Sequence, residues 1–318
     1  MKKKSPAPVI MSALSSSHVP VSELAIASPL PQDVSVSFEF FPPDSEKASE
    51  TLWNSIQRLA PLNPSYVSVT YGAGGTTRER THNTVSRIRN ETDMEPAAHL
   101  TCVSATRDEV DAVARHYWDA GIHHIVALRG DPPKGASRYE PHPDGYAFAA
   151  DLVTGLKKVA DFEISVAAYP ETHPAASSDE VDLDNLKRKI DAGATQAITQ
   201  FFFSVDTYLR FLERARSAGI TVPIIPGILP VTNFNRVAEF SKGCGAEIPT
   251  WMADLFDGLD NEPETRKLVA ASLAAEQCRA LNANGVNQFH FYTMNRADLC
   301  FAICHMLGVR PQPKVKVA

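Results

Sequence analysis

Residues 34–41 read VSVSFEFF. Side chains alternate between the two faces of a β-strand. Val34, Val36, Phe38 and Phe40 therefore share one face, and Ser35, Ser37 and Glu39 share the other. A carboxylate in an apolar run costs several kcal/mol unless it is paired, hydrated or neutralised. Either this strand has a wet face, or Glu39 has a task.

The same two-faced pattern recurs along the chain. Strand-like runs fall at 34–41, 65–71, 97–103, 123–129, 163–169, 196–203, 222–229 and 287–292. In 66–71, Val67, Val69 and Tyr71 oppose Tyr66, Ser68 and Thr70; in 288–292, Phe289 and Phe291 oppose Gln288, His290 and Tyr292. Between the runs lie segments of helical spacing, such as TRDEVDAVARHYWDAG and VDTYLRFLERARSAG. Thr106 and Glu109 have capping-box spacing. Gly121, Gly193 and Gly219 stand where a helix ends in a left-handed residue. Strand–helix alternation predicts a parallel sheet, and eight such units predict an α/β fold, a single-domain (β/α)8 TIM barrel, rather than a doubly wound sheet. The greasy faces then meet the helix ring, and the polar faces line the interior. At the C-terminal rim the strands deliver Glu39, Thr70, His99 with Thr101, Arg129 with Asp131, Tyr169, Gln200 and Tyr292. Convergence of this kind at one end of a barrel predicts a site.

Composition narrows the function classes. The chain has 318 residues, 44% hydrophobic and 21% charged, with a net charge of -6. That balance argues against nucleic acid as a partner. No apolar run reaches the roughly 20 residues of a membrane span. Five scattered cysteines suit a reducing, cytoplasmic setting. Residues 1–31 begin with a basic run, but Pro6, Pro8 and Ser15–Ser17 interrupt any apolar stretch. They read as a flexible arm, with a transit signal or partner-binding segment as the alternatives. The barrel is expected over 32–310 and a short tail over 311–318.

Individual motifs leave alternatives open. In LRGDPP, 128–133, Arg129 and Asp131 flank a glycine that lets backbone approach a flat ligand; a loop salt bridge is the other reading. YGAGGTT, 71–77, lacks both the P-loop lysine and dinucleotide spacing, so it reads as a strand-to-helix turn. In AYPETHP, 168–174, Tyr169 and His173 are either ring and phosphate contacts or satisfied loop residues. Asn185, Arg188 and Lys189 form either an anion site or a solvated helix face. Gln200 suits a heterocycle edge or a structural amide bond. Cys300, Cys304 and His305 fit the apolar face of a helix better than a zinc site, and no metal is expected. His123 and His124 open a strand at the opposite, lower face.

Together FEFFPP, VTYGAGG, HLTC, ALRGDPP, AAYPETHP, LKRKIDAGA, ITQFFF, PGILPVTNF and HFYTMNR, in order over residues 34–310, resemble the bacterial methylenetetrahydrofolate reductases. The resemblance implies a barrel that binds FAD without a Rossmann domain. It implies reduction of 5,10-methylenetetrahydrofolate to 5-methyltetrahydrofolate by NAD(P)H, more often NADH, in ping-pong order through the flavin. The product feeds methionine synthesis, and relatives are commonly homo-oligomers.

Position by position, Glu39 matches the family's general acid, which a partly apolar site suits by holding its proton near neutral pH. Phe41 is expected to share the Glu39 face and help keep it protonated. Asp131 matches the acid beside flavin and pterin. Thr70, His99, Arg129, Gly130, Tyr146 and Ala147 match FAD contacts, as do Tyr169, His173, Asp182, Asn185, Arg188 and Lys189. Gln200, Phe240, Tyr292 and Arg296 match the folate side. Arg236 matches a folate-contacting position where many relatives carry Gln, and Ser204 stands where they carry Asp. A flavin-independent barrel lyase or isomerase, and a non-catalytic flavin- or folate-binding module, are the competing function classes.

Overall fold

The computed structural model describes residues 31, 33–72, 78–132, 135–136 and 138–312. The expected arm, apart from Pro31, most of the YGAGGTT turn and the end of the tail lie outside the described residues. Strands and helices alternate from the first element: β1 (Ser35–Phe40), α1 (Glu46–Leu59), β2 (Val67–Val69), α2 (Arg78–Glu91), β3 (Pro96–Thr101), α3 (Arg107–Asp119), β4 (His124–Leu128) and α4 (Ala149–Val159). Then follow β5 (Glu163–Ala168), α5 (Asp179–Asp191), β6 (Gln196–Thr199), α6 (Val205–Ser217), β7 (Ile224–Ile225) and β8 (Gly227–Ile228). The last part holds α7 (Phe234–Cys244), α8 (Thr250–Phe256), α9 (Pro263–Ala283), β9 (Gln288–Tyr292) and α10 (Ala297–Met306).

Every strand pair is parallel, in the order β7-β6-β5-β4-β3-β2-β1-β9-β8. The two ends of that order, β7 and β8, are separated only by Pro226, so one bent strand closes a TIM-type barrel. The expected strand 222–229 is thus split. Pro226 has no N–H to give to the ladder, yet its carbonyl accepts from the His290 N–H at 3.0 Å. The expected strand 196–203 also stops early, at Thr199, because the Gln200 side-chain oxygen takes the Phe201 N–H at 3.0 Å.

The alternation of β1 is realised. Val36, Phe38 and Phe40 are buried with Leu52, Ile56 and Leu59 of α1 in the core between sheet and helices. Full burial of one such phenylalanine is worth about 1.5–3 kcal/mol. A smaller apolar layer of Tyr66, Ala97, Val126 and Ile198 lies inside the barrel. Ser45, Ser178, Ser204 and Asn233 cap helix N-termini, and the Thr106–Glu109 capping box is formed at α3. Gly121, Gly193 and Gly219 take φ of 73°, 116° and 81°. Cys300 and Cys304 are buried in α10.

Candidate active site

Glu39 stands near the C-terminal end of β1, facing Ser68 on β2 and Tyr292 on β9 in register. Its side chain is 13% exposed, and Oε2 lies 3.4 Å from His99 Nε2 and 3.6 Å from His290 Nε2. Burial raises the carboxyl's pKa, but contact with His290 and His99 outweighs it and brings the value down to about 2. This corrects the expectation that an apolar setting keeps Glu39 protonated. Phe41, expected beside it, is 40% exposed; the true neighbours are two imidazoles. The proton is then held by a carboxylate–imidazole group rather than by Glu39 alone.

The backbone around Glu39 is fixed from the far end of the chain. Its carbonyl accepts from Thr293 Oγ1 at 2.6 Å. Asn295 accepts the Phe41 N–H at 2.8 Å and donates Nδ2 to the Phe41 carbonyl at 3.0 Å. Asn295 reaches this position because Met294 and Asn295 both turn left-handed, with φ of 51° and 54°. Asparagine tolerates that conformation better than most residues. Sequence reading missed Thr293, Asn295 and the role of His290. The one available signal was an asparagine three residues after a strand, where a left-handed turn is wanted.

The other expected residues surround the rim. Thr70 donates its N–H to the Phe40 carbonyl at 2.9 Å. Ser68 and Thr101 bury hydroxyls that have no hydrogen-bond partner. The Arg129 guanidinium lies over the Tyr139 ring, 4.6 Å from its centre, and Gly130 has φ of 86°. Tyr139, also missed in the sequence, donates to the Ala147 carbonyl at 2.7 Å. Asp131 is exposed and within electrostatic reach of Tyr169 and His173. The Tyr146 side chain is occupied elsewhere: its hydroxyl donates to Asp111 at 2.8 Å, and its ring fills the space above Gly155.

Tyr169 meets His173 edge-on at 4.5 Å, and Asp182 accepts the His173 N–H at 2.9 Å. His173 Nδ1 accepts from the Ala175 N–H at 2.9 Å, and burial lowers the ring's pKa. That fixes a neutral imidazole with its proton on Nε2. Lys189 donates to the Ala167 carbonyl at 2.5 Å, and burial pulls its ammonium down to about 8. Asn185 and Arg188 bond one another on the exposed face of α5. On the opposite side the Tyr292 hydroxyl donates to the Thr199 carbonyl at 2.6 Å. Phe240 of α7, 59% exposed, stacks on Phe201 at 5.7 Å. Arg236 and Arg296 are exposed.

A barrel whose upper rim sets a carboxylate between imidazoles, with aromatic and cationic groups on two sides, has the groups that an enzyme could use on a flat, anionic ligand. Residues 26–308 match the family described as methylenetetrahydrofolate reductase. The chain is 57% identical to the 5,10-methylenetetrahydrofolate reductase of Escherichia coli K12 over 278 residues, covering 87% of this chain and 92% of the relative. It is 55% identical to that of Pectobacterium carotovorum, covering 87% and 91%. A solved Clostridium thermocellum protein that binds two copies of 5-methyl-5,6,7,8-tetrahydrofolic acid has the same fold, with a TM-score of 0.59, 16% identity and coverage of 87% and 94%. The chain belongs to the methylenetetrahydrofolate reductase family, a family of oxidoreductases acting in one-carbon metabolism.

Proposed function

We propose that this protein uses FAD and NAD(P)H, with NADH preferred, to reduce 5,10-methylenetetrahydrofolate to 5-methyltetrahydrofolate for methionine synthesis in the cytoplasm, as a homo-oligomer. The observation that carries the reading is Glu39, a carboxylate at the barrel rim flanked by His99 and His290, on a chain 57% identical to a reductase of that substrate.

The rim fits a flavin dinucleotide. The partnerless hydroxyls of Ser68 and Thr101 face inward where a polar ring edge would satisfy them. Thr70, His99, Arg129, Gly130, Tyr169 and His173, with the backbone at Tyr146 and Ala147, would hold the isoalloxazine and ribityl parts. Asp182, Asn185, Arg188 and Lys189 supply a hydroxyl acceptor and cations for a diphosphate. Hydride passage from NAD(P)H to the folate methylene carbon, in ping-pong order, is the chemistry that FAD supplies when bound.

The chain's own residues do the rest. Glu39 together with its two imidazole neighbours delivers a proton to the folate nitrogen that leaves the methylene carbon, so the bridge opens before hydride arrives. Asp131 anchors the pterin and sets the charge beside the flavin. Gln200 keeps its amide nitrogen for the pterin edge, since its oxygen is taken by Phe201. Phe240 and Tyr292 supply ring contacts, and Arg236 and Arg296 offer cations to a glutamate tail. One hydride and one proton are taken up per turnover, and NAD(P)H is oxidised.

The test is two-step anaerobic reduction. The purified protein should be yellow, NADH should bleach it, and methylenetetrahydrofolate should restore the colour. A colourless protein active on a phosphorylated metabolite, or a yellow one that NADH does not bleach, would overturn the reading.

A further inference from the structure

Away from the rim, two histidines meet across neighbouring helices. His82 lies near the start of α2 and His116 in the last turn of α3. Their Nε2 atoms are 2.9 Å apart, although the residues are 34 positions apart in the chain. The ring centres are 4.3 Å apart, with the planes at 48°. His116 is exposed, and His82 is half-buried against the Tyr117 ring. Ser86, one turn on from His82, holds its Oγ 3.5 Å from the same Nε2. Among the described residues no third histidine, cysteine or carboxylate joins the pair.

The two distances discriminate between ways of joining the rings. Each ring centre lies about 1.15 Å behind its nitrogen, so a straight N–H···N hydrogen bond of this length would hold the centres about 5.2 Å apart. At 4.3 Å the rings lean together, and a hydrogen bond between them is bent and weak. Two imidazoles bound to one metal ion converge in that way. Metal–nitrogen bonds of about 2.05 Å meeting at a right angle place the nitrogens about 2.9 Å apart and the ring centres about 4.5 Å apart. The tetrahedral angle of zinc would need about 3.3 Å and about 5.2 Å. The pair matches the right-angle case, which belongs to tetragonal Cu²⁺ and Ni²⁺.

We propose that His82 and His116 form a cross-helix site for a late first-row divalent metal ion, Cu²⁺ or Ni²⁺, bound in cis through both Nε2 atoms. Imidazole nitrogen suits these ions, and Cu²⁺ stands highest in their order of affinity. Binding asks only that the ring donating from Nε2 carry its proton on Nδ1 instead, so both rings stay neutral. Water fills the remaining positions, and the Ser86 hydroxyl stands where it can bond one such water. With two protein ligands the site is open and of modest affinity, unlike a closed structural zinc site. Its effect is to pin α2 to α3. The start of α2 is already tied to the barrel, because Thr81 Oγ1 donates to the Thr70 carbonyl at 2.8 Å. A bound ion therefore braces the helix behind that strand end.

The test is thermal unfolding of the full, tag-free protein as purified, dialysed against EDTA and then titrated with NiSO4. Tm should rise by about 3 °C once free Ni²⁺ reaches about ten times its Kd. MgSO4 should not move it, since Mg²⁺ prefers oxygen ligands. His116→Ala should abolish the rise. His305→Ala, which removes an exposed histidine of α10, should keep it. With one equivalent of Cu²⁺, electron paramagnetic resonance should show two equatorial nitrogens in the wild type and fewer in His116→Ala. A Tm that Ni²⁺ leaves unchanged, a rise that survives His116→Ala, or a wild-type copper spectrum with one nitrogen would each overturn the site and leave a bent hydrogen bond only. If His116→Ala does not fold, His116→Gln keeps a hydrogen-bonding group beside His82 without a second imidazole. It should lose the rise as well, and a Ni²⁺ response like that of the wild type would overturn the proposal.

Discussion

Gly227→Ala should weaken the barrel where it closes. Gly227 opens β8, and its N–H donates to Thr199 Oγ1 at 2.9 Å. A Cβ there would stand 2.2 Å from the Thr199 carbonyl oxygen, 2.5 Å from Tyr292 Cε2 and 2.7 Å from the Tyr292 hydroxyl. The first obstacle is backbone and cannot swing aside. Overpacking of this kind costs about 1–3 kcal/mol. Displacing Tyr292 also strains its 2.6 Å bond to Thr199, worth about 1 kcal/mol. Reduced freedom of the unfolded chain returns about 0.4–1 kcal/mol. The net expectation is a loss of about 2–3 kcal/mol, or roughly 5 °C in Tm for a chain of this size. Thermal unfolding followed by circular dichroism reads it, and KM for folate should rise because Tyr292 moves. Gly243, inside α7, is the control: a Cβ there meets nothing, so Gly243→Ala should stabilise by about 0.5–1 kcal/mol. A Gly227→Ala protein melting within about 1 °C of wild type would refute the argument that this contact closes the barrel.

Glu39→Gln should leave NADH bleaching nearly intact and cripple the folate half-reaction; equal loss in both would remove the acid role. Asn295→Ala deletes two bonds to Phe41 and puts alanine at φ 54°, so about 2 kcal/mol should be lost in urea unfolding. Asn295→Gly, which accepts that φ, should lose less, and equal losses would show that the amide alone matters. Burial lowers the Lys189 pKa from 10.5 to about 8, so between those values the unfolded chain binds more protons. Stability should therefore rise with pH across that window, and Lys189→Met should flatten the rise in urea titrations. The same variant should gain about 1–2 kcal/mol at pH 7 without ligand and bind FAD less tightly.

Much of this was legible in β1 alone. Its period of two assigned Phe38 and Phe40 to the helix layer and Glu39 to the interior, because burial on one face enforces strict alternation. Phe41 broke the rule: the strand ends at Phe40, and beyond it the pleat no longer dictates direction. The bend at Pro226 was readable in principle, since proline cannot complete a ladder, but the apolar run around it masked the break. His290 was visibly on an inner face. Its meeting with Glu39 was not visible, because a register between residues some 250 apart is set by barrel closure and not by local pattern. Tyr139 and Asn295 act through backbone carbonyls and amides, which leave no mark on side-chain periodicity.

The pairing of β1 with β9 has a consequence for the chain as it is made. A ribosome delivers Glu39 early, but Ser35 to Glu39 must wait for Gln288 to Tyr292 before their outer ladder is filled. Thr293 and Asn295, which hold the Glu39 carbonyl and the Phe41 backbone, arrive later still. Until then β1 is an unpaired edge with a row of phenylalanines beneath it, a surface that invites association with other nascent chains. Assembly of the acid and protection of that edge are therefore one event.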